Sequence, residues 1–442
     1  MASTSTADVA IVGAGLAGLS AARELHRAGL SVTVCEAGDD AGGRVRTDRA
    51  DGFLLDRGFQ VLLPAYPELR RQADLTALRL RPLARGALAV TPSGRRWLEA
   101  PWRARHAAAG SAAFLREHPG DAAALAALSA RDLLAPDPVM RAIDPATSTA
   151  AELRRRLSAA TVSEVMRPFL AGVFLDPSLA TQARLFHLIW RSFLRGGGAL
   201  PDAGMQELPR QLAAGLPAGA LRLQTKITEV GESGVRTSDG ERIRARAVVI
   251  ATDGTAASRL APGLAAPSWH SVTTFYYRTA GPPLGSPILV LDGVTGLMIN
   301  AVVLSQAAPG YAPSGAALVS GSVPGRSDAS LEPRVRTCLA RLYQTSTSDW
   351  ELLGAYPIPR ALPAFPAGQP LRRPVRLGPG RYVCGDHRDT PSIQGALVSG
   401  RRAAAAVLAD LTRQAGTAAF RYGEHRGRSG LQTRRSAHRS VG

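Results

Sequence analysis

The first fifty residues carry the feature that most restricts the fold of this chain. Residues 8–12 form a short β-type run, residues 16–28 place apolar side chains at helical spacing, and residues 31–34 form a second β-type run. This order predicts a βαβ unit, in which a helix crosses between two parallel strands. The chain is therefore expected to build an α/β sheet from its N-terminus.

Three glycines stand in the turn between the first strand and the helix. Gly13, Gly15 and Gly18 have the spacing G-x-G-x-x-G. Gly13 is expected to make the tight turn, Gly15 to let the backbone approach a pyrophosphate, and Gly18 to let the helix lie close on the strand. Leu16 and Ala17 begin the helix, whose free N–H groups and dipole attract phosphates. A chance glycine-rich turn is the alternative, but the order of strand, helix, strand and acid favours a dinucleotide-binding site.

An acidic residue and a second glycine pair follow this unit. Glu36, beside Ala37, ends the second strand, where a carboxylate accepts hydrogen bonds from ribose hydroxyls and repels a 2′-phosphate, so NADP is disfavoured. Six residues later come Gly42, Gly43 and Arg44, a segment that suits a longer dinucleotide running past the first turn. Arg44 offers a forked, permanently charged donor to a phosphate or a flavin edge.

With these motifs in this order, the chain resembles the superfamily of FAD-dependent amine oxidases, phytoene desaturases and protoporphyrinogen oxidases. The resemblance implies an α/β fold, with a Rossmann-like FAD-binding domain and an inserted α+β substrate-binding domain. It also implies an FAD-dependent oxidoreductase that removes a hydride equivalent from a C–H or C–N bond of a small, partly apolar organic substrate, as a dehydrogenase, a desaturase or an oxidase.

The C-terminal part of the chain is similar to the segment that closes the FAD site in this family. A predicted strand at residues 382–384 precedes Gly385 and Asp386, and a helical, alanine-rich run follows. The resemblance implies that Asp386 holds the ribityl chain. Three residues at the start of the helix are implied to lie against the isoalloxazine: Gln394, Gly395 and Ala396. An ordinary C-terminal helix with a glycine-rich cap is the alternative.

Two further segments match the family. Residues 221–255 alternate apolar and polar side chains across short predicted strands. By resemblance, Ile227 backs the adenine, and Ala251 and Thr252 lie near the pyrophosphate; a meander that only packs on the sheet is the alternative. The residues implied to pass under the flavin are Asp56, Gly58, Phe59 and Gln60.

Three polar residues are candidates for catalysis. Gln60 can orient a substrate, although an amide bonded to backbone is equally consistent with the pattern. Asn300 can line the cavity, as can Gln306, and sheet packing is the alternative for both. His387 can act as a general base near neutral pH, unless it points to solvent or caps its loop. Aromatic side chains that form either a pocket wall or part of the core are Phe174, Trp190, Phe193 and Tyr277.

The resemblance divides the chain into two domains that alternate along the sequence. The expected segments are, for the FAD-binding domain, 1–64, 196–265 and 375–411, and, for the substrate domain, 65–195 (helix-rich) and 266–374 (β-rich). Residues 412–442 are rich in Arg, Ser, Gly and His and are expected to form a basic, disordered tail.

Basic residues outnumber acidic ones, with a formal net charge of +18. Lys226 is the only lysine, and the arginines are scattered except in the tail. This distribution favours weak, salt-sensitive contact with polyanions, so no specific nucleic acid partner is expected.

The single lysine also bears on mechanism. Many flavin amine oxidases use a buried lysine beside the flavin in the reaction with oxygen, whereas Lys226 falls in the predicted adenine-side strand. The electron acceptor is expected to be oxygen or a quinone-like molecule. Two alternatives stay open: an FAD-binding protein with a non-redox isomerase or cyclase role, and an amine or amino-acid oxidase that lacks this lysine.

Cysteine usage sets the remaining expectations. Cys35, Cys338 and Cys384 lack metal-ligand spacing, so no metal site is expected. No cysteine lies in residues 371–380, where some family members attach FAD covalently, so the FAD is expected to be non-covalent. Sparse cysteines without a signal peptide favour the cytoplasm, and the apolar runs are too short for a transmembrane segment.

Overall fold

The computed structural model of the protein describes residues 4–99, 116–136, 139–140, 142–325 and 329–435. The strands in chain order are β1 Thr4–Val12, β2 Val32–Cys35, β3 Thr47–Ala50, β4 Phe53–Asp56, β5 Leu80–Pro82, β6 Gly86–Thr91, β7 Gly94–Glu99, β8 Ala199–Pro201, β9 Leu221–Arg222, β10 Ile227–Gly231, β11 Gly234–Thr237, β12 Arg242–Ile250, β13 Trp269–Thr279, β14 Leu289–Asp292, β15 Asn300–Val303, β16 Ala317–Pro324, β17 Glu351–Pro363, β18 Arg376–Gly378 and β19 Arg381–Val383. The helices are α1 Leu16–Arg27, α2 Pro67–Gln72, α3 Pro119–Leu134, α4 Thr149–Arg154, α5 Ala159–Thr161, α6 Arg167–Phe174, α7 Ala183–Gly196, α8 Glu207–Ala214, α9 Gly254–Leu260, α10 Leu304–Ala307, α11 Glu332–Tyr343 and α12 Ile393–Arg435.

The predicted βαβ unit is present and forms the centre of the first sheet. β1 pairs in parallel with β2, and α1 crosses between them. On its other side β1 pairs in parallel with β12, which pairs in parallel with β19. β10 and β11 extend the sheet in antiparallel fashion beside the start of β12, and β9 lies beside β2. The four strands β1, β2, β12 and β19 therefore end at one edge, where α/β sheets bind ligands.

Residues 9–12 of β1 are apolar without alternation because both faces of the strand are covered there. Val9 and Ile11 pack in the large core cluster with α1 and α12, whereas Ala10 and Val12 pack with the apolar side chains of β10 to β12. The side chains at all four positions are almost completely buried.

The second sheet has the order β17-β13-β16-β15-β14-β6-β7. Its neighbouring strands are antiparallel except for β14 and β6. One face carries Tyr276 and Val302 into the core shared with the first sheet, and the other carries Tyr277 and Val303 against α11. The second sheet thus closes over the first.

Part of the segment predicted to be helix-rich, 65–195, is β-structure. β6 and β7 form a hairpin around a Pro-Ser-Gly turn, in which Gly94 adopts φ 120°. β6 then extends the second sheet by pairing with β14. The sequence does contain a Pro-Ser-Gly turn between two β-type runs, which is typical of a hairpin. The prediction missed this hairpin because it was based on the helical periodicity further along the segment. Residues 100–115, 137–138, 141 and 326–328 of the two substrate-domain segments lie outside the described residues.

The last helix, α12, runs on into the segment that is expected to form a disordered tail from residue 412, and the disorder of that tail stays a prediction. α12 continues to Arg435, and residues 436–442 lie outside the described part of the chain. The alanine-rich start of this helix packs on α1, where the Ser20 hydroxyl donates to the Leu397 carbonyl at 2.8 Å. A helix nucleated by such packing propagates at little further cost, because each added residue gains one hydrogen bond.

Candidate active site

A cavity of about 990 Å³ opens at the carboxyl edge of the first sheet and extends towards the second. Its volume is at the upper end of the roughly 300–1,000 Å³ typical of cofactor and small-molecule sites. The predicted site residues that line it are Gly13, Gly15, Leu16, Ala17, Glu36, Ala37, Gly42, Gly43, Arg44, Gly58, Phe59, Gln60, Ile227, Ala251, Thr252, Asn300, Gly385, Asp386 and Ala396. Residues far apart in sequence are therefore brought to one cavity.

The three glycines of the first turn have different surroundings. Gly13 adopts φ 105°, and its N–H donates to the Cys35 carbonyl at 2.8 Å. A Cβ on Gly18 would lie 2.0 Å from the Gly13 carbonyl oxygen, so Gly18 shapes the turn without lining the cavity. A Cβ on Gly15 would meet no atom within 4 Å. Gly15 is thus the glycine whose bare backbone faces space that a ligand can occupy.

The second glycine pair packs directly against the first turn. The Gly42 N–H donates to the Ala14 carbonyl at 2.9 Å, and a Cβ on Gly43 would lie 3.4 Å from the Gly15 Cα. Gly43 adopts φ 61°, which favours glycine. Both turns therefore present one continuous backbone surface without side chains.

Glu36 is held at the first turn by backbone donors. Its carboxylate accepts the N–H groups of Ala14, at 2.7 Å, and Gly38, at 2.8 Å. Its own carbonyl accepts the Thr225 N–H at 2.7 Å, which brings Lys226 and Ile227 to the same end of the cavity. The only lysine thus lies at the Glu36 end.

Arg44 and Asp386 form an ion pair. The guanidinium donates to Asp386 Oδ1 at 2.6 Å and to the Ala361 carbonyl at 3.0 Å, and it lies 5.4 Å from the centre of the Trp269 ring. The Asp386 side chain is 5% exposed, whereas that of Arg44 is 35% exposed. The two predicted cofactor residues therefore link the Gly-Gly-Arg segment to the closing segment.

The three candidates for catalysis differ in their surroundings. The Gln60 side-chain amide donates to the Arg44 carbonyl at 2.8 Å. This bond matches the alternative given for Gln60, an amide that is bonded to backbone. Asn300 lines the cavity, is 6% exposed, and its Oδ1 has no hydrogen-bond partner among the described residues. Gln306 does not line the cavity.

His387 lies outside the cavity wall. Its ring packs so closely on Gly385 that a Cβ there would lie 2.4 Å from the imidazole, and neither ring nitrogen has a partner among the described residues. Burial lowers the pKa of His387 to about 4, so the ring is neutral near pH 7. Because an imidazole with so low a pKa is a weak base and the ring does not line the cavity, the structure gives no support to a role as general base.

Two predicted residues at the start of α12 face away from the cavity. Gln394 Oε1 accepts the Glu68 N–H at 3.0 Å, and a Cβ on Gly395 would lie 1.8 Å from the Thr390 carbonyl oxygen. Ile393 and Ala396 line the cavity instead, because residues three apart share a helix face. Gln394 and Gly395 thus help to fix the start of α12 against α2 and against the loop that precedes α12.

The structure adds lining residues that the sequence analysis did not identify. At the first-sheet end and the closing loop these include Cys35, Thr225, Asp253, Arg259, Arg360, Pro391 and Ser392. Towards the second sheet they include Phe169, Val173, Ile189, Leu289, Leu291, Ile299 and Ile358. Of the four aromatic residues considered for the wall, only Phe193 lines the cavity among the described residues; Phe174 and Tyr277 are core residues.

Asp56 is implied by resemblance to pass under the flavin. In the structure its side chain is buried and bonds to three separate segments of the chain. Its carboxylate accepts hydrogen bonds from the Thr47 hydroxyl at 2.6 Å, the Met205 N–H at 3.1 Å and the Tyr311 hydroxyl at 2.8 Å. It does not line the cavity. Burial raises the pKa of Asp56 to about 6.

The chain thus combines a parallel sheet with a G-x-G-x-x-G turn, a large cavity at the carboxyl edge of that sheet, and a second sheet beside the cavity. A family model described as "Flavin containing amine oxidoreductase" matches residues 16–408, so the chain belongs to this family of flavin-dependent oxidoreductases. The resemblance drawn from the motifs and the predicted α/β fold class are both confirmed.

Similar proteins match in sequence over short segments. Protoporphyrinogen oxidase 2 of Arabidopsis thaliana is 42% identical over 71 residues, which is 16% of this chain and 14% of that protein. Putrescine oxidase of Kocuria rosea is 48% identical over 67 residues, 15% of this chain and 14% of that protein. The matches thus span about a seventh of the length of these relatives.

Solved structures match over nearly the whole chain. Wild-type putrescine oxidase bound to putrescine has a TM-score of 0.64 and 22% identity, covering 92% of this chain and 100% of that one. Reduced UDP-galactopyranose mutase has a TM-score of 0.65 and 14% identity, covering 91% and 96%. These likenesses show the fold.

Within the described residues, no helix has the length and apolar character needed to cross a membrane. The same residues contain no group of three or more His, Cys, Asp or Glu side chains placed to hold a metal ion.

Proposed function

We propose that the protein is an FAD-dependent oxidoreductase that removes a hydride equivalent from a C–H or C–N bond of a small, partly apolar organic substrate. The observation that carries this proposal is the cavity itself, which joins the glycine turns of the first sheet to an apolar chamber under the second. A cofactor held along the turns would present its far end to a substrate in the chamber.

The residues present fit FAD. Gly15 leaves open space where a pyrophosphate needs close backbone approach, and the N-terminus of α1 lies beside it. Glu36 retains lone pairs for ribose hydroxyls after accepting its two N–H groups. The proposal assigns Asp386 to the ribityl chain and Arg44 to a phosphate or the flavin edge, and the ion pair that holds both side chains at the cavity wall supports it.

We propose that the FAD is non-covalent. Cys35 is the only cysteine among the described lining residues, and it lies at the Glu36 end, where burial raises the pKa of its thiol to about 11. A neutral thiol is a poor nucleophile. Bound FAD supplies the acceptor for the hydride equivalent.

The protein's own groups then position the substrate. Apolar side chains exclude water from the chamber, and Asn300 offers the substrate a hydrogen bond. Lys226 lies at the opposite end, so we propose oxygen or a quinone-like molecule as acceptor without a lysine-assisted reaction. The cytoplasm is the proposed location.

The first test is the release of the cofactor. Purified protein is expected to be yellow and to release intact FAD into the supernatant on acid precipitation, because backbone contacts and hydrogen bonds do not survive unfolding. Flavin retained in the pellet would contradict non-covalent binding, and colourless protein that takes up no added FAD would contradict the whole proposal.

Turnover is tested by anaerobic addition of candidate substrates to the loaded protein. A substrate of an oxidoreductase bleaches the flavin absorbance as the cofactor is reduced. Conversion of a substrate without bleaching would instead indicate the isomerase or cyclase alternative.

Replacing Glu36 with alanine is expected to weaken FAD retention by roughly tenfold or more, since a charge-assisted hydrogen bond contributes about 1.5–3 kcal/mol. The measurement is FAD occupancy after extensive dialysis, with thermal unfolding of the apoprotein to verify the fold. Glu229→Ala is the matched control, because this acid of β10 is 68% exposed. Equal occupancy in Glu36→Ala and wild type would remove Glu36 from the site.

A further inference from the structure

The chamber beneath the second sheet is walled by apolar side chains from α6, α7 and β14. The side chains are Phe169, Val173, Ile189, Phe193, Leu289 and Leu291. Phe169 and Phe193 meet edge to face, with their ring centres 5.4 Å apart. Such a surface favours the apolar part of a ligand, because binding removes apolar area of both partners from water.

Each carboxylate among the described residues of this cavity already accepts hydrogen bonds from the protein. Among the described residues that line it, the carboxylates are Glu36, Asp253 and Asp386. Glu36 is held by backbone N–H groups, Asp253 caps α9 by accepting two N–H groups, and Asp386 is paired with Arg44. Because an ammonium group is costly to bury without a partner, the chamber disfavours cations.

The cavity also offers few unpaired basic side chains to an anionic ligand. The basic side chains of the described lining are Arg44, Arg57, Lys226, Arg259 and Arg360. Arg44, Arg57 and Arg360 are paired with Asp386, Asp48 and Asp253, and Lys226 and Arg259 belong to the first-sheet end. None of the six apolar side chains that define the chamber is charged, and the three arginines Arg44, Arg57 and Arg360 of the described cavity wall are already paired with carboxylates.

One polar side chain does reach the chamber. Asn300 begins β15, and Val302, two residues further on, faces the core shared with the first sheet, so alternation directs Asn300 to the same side. It lies against α6, where a Cβ on Gly172 would be 3.0 Å from its Nδ2. Its unpartnered Oδ1 is desolvated without a compensating hydrogen bond, a cost that a ligand donating to it would remove.

We propose that the substrate is an electrically neutral, mostly apolar molecule whose single polar group hydrogen-bonds to Asn300. This assignment rests on the proposed function, because it names the substrate class of the same site. Asn300 acts as a specificity-determining residue: its amide serves as both donor and acceptor, and it carries no charge.

The test uses three probes that share an eight-carbon chain and differ only in the head group: octanamide, octylamine and octanoate. Each is titrated into FAD-loaded protein, and binding is followed by the visible spectrum of the bound flavin and by tryptophan fluorescence, neither of which requires turnover. Octanamide is expected to bind at least roughly tenfold more tightly than either charged probe. Octylamine or octanoate binding as tightly as octanamide, or no binding of any probe, would overturn the proposal.

Variants of Asn300 test its role directly. Asn300→Leu is expected to weaken octanamide binding by roughly threefold to tenfold, the range of one net hydrogen bond of about 0.5–1.5 kcal/mol. Asn300→Asp is expected to weaken octanamide and strengthen octylamine. Gln306→Leu, an amide outside the cavity wall, is the matched control and is expected to leave all three affinities unchanged.

The outcomes separate this inference from the proposed function. Unchanged octanamide affinity in Asn300→Leu would overturn the role of Asn300, provided that FAD content matches wild type. Flavin that binds but is reduced by no substrate would contradict oxidoreductase activity, while leaving the order of probe affinities intact.

Discussion

Replacing Gly15 with valine is expected to abolish FAD binding and to leave the fold unchanged. Gly15 has φ −71° and ψ 173°, an ordinary extended conformation that valine adopts readily, and a Cβ there would meet no protein atom within 4 Å. The valine side chain would occupy the space that a pyrophosphate needs. We expect affinity to fall more than about a hundredfold, because overpacking costs about 1–3 kcal/mol and the hydrogen bonds to the helix N-terminus are lost as well.

The measurement is FAD titration of apoprotein, together with the thermal unfolding midpoint of each apoprotein. Gly281→Val is the matched control, because a Cβ on this exposed loop glycine also meets nothing within 4 Å. Gly18→Val is the contrasting variant: its Cβ would lie 2.0 Å from the Gly13 carbonyl, so we expect it to destabilise the protein itself. Normal FAD affinity in Gly15→Val would show that no pyrophosphate approaches this turn.

The glycine-lined end of the cavity could be predicted from the sequence because local geometry there requires particular residue types. Gly13 and Gly18 occupy positions that a side chain cannot fill, one through φ 105° and the other through a backbone contact. Glu36 follows a strand whose end is fixed by the adjacent parallel strand. Such constraints leave signatures within a few residues of the chain.

The residues that line the chamber beneath the second sheet could not be predicted in the same way. Leu289 and Leu291 line the cavity, whereas Val290 between them lies in the second core. In the sequence these three residues are one apolar run, and only the pairing of β14 with β6 and β15 decides which of them face the chamber. Apolar lining residues and apolar core residues share one pattern, so tertiary contacts have to separate them.

The direction in which a side chain next to a motif points could not be predicted from the sequence either. His387 follows Asp386 directly, yet its ring packs beneath Gly385 while Asp386 lines the cavity. Gln394 precedes Ala396 by half a turn of helix and bonds to the α2 backbone instead of facing the cavity. The resemblance identifies such segments, but helical phase and loop geometry determine which side chain reaches the ligand.

Replacing Asp56 with asparagine is expected to remove a pH dependence of folding stability. Burial raises the pKa of this carboxyl from 3.8 to about 6, so the folded protein holds a proton that the unfolded chain releases between these values. The contribution of Asp56 to stability is therefore complete below about pH 3.8 and is lost as the pH rises through 6. The shift corresponds to about 3 kcal/mol in total, of which about 2 kcal/mol falls between pH 4.5 and 7.5.

Asparagine can keep all three side-chain contacts of Asp56, with the direction of the Tyr311 bond reversed. Its Oδ1 can accept from the Thr47 hydroxyl and the Met205 N–H, and its Nδ2 can donate to the Tyr311 hydroxyl oxygen. The free energy of unfolding of wild type and Asp56→Asn is measured by urea denaturation at pH 4.5 and 7.5, with the exposed Asp349→Asn as control. We expect wild type to lose about 2 kcal/mol relative to Asp56→Asn over this interval, and the control to follow wild type. Parallel pH profiles for wild type and Asp56→Asn would show that the carboxylate is charged throughout and that hydrogen bonds from Thr47, Met205 and Tyr311 outweigh its desolvation.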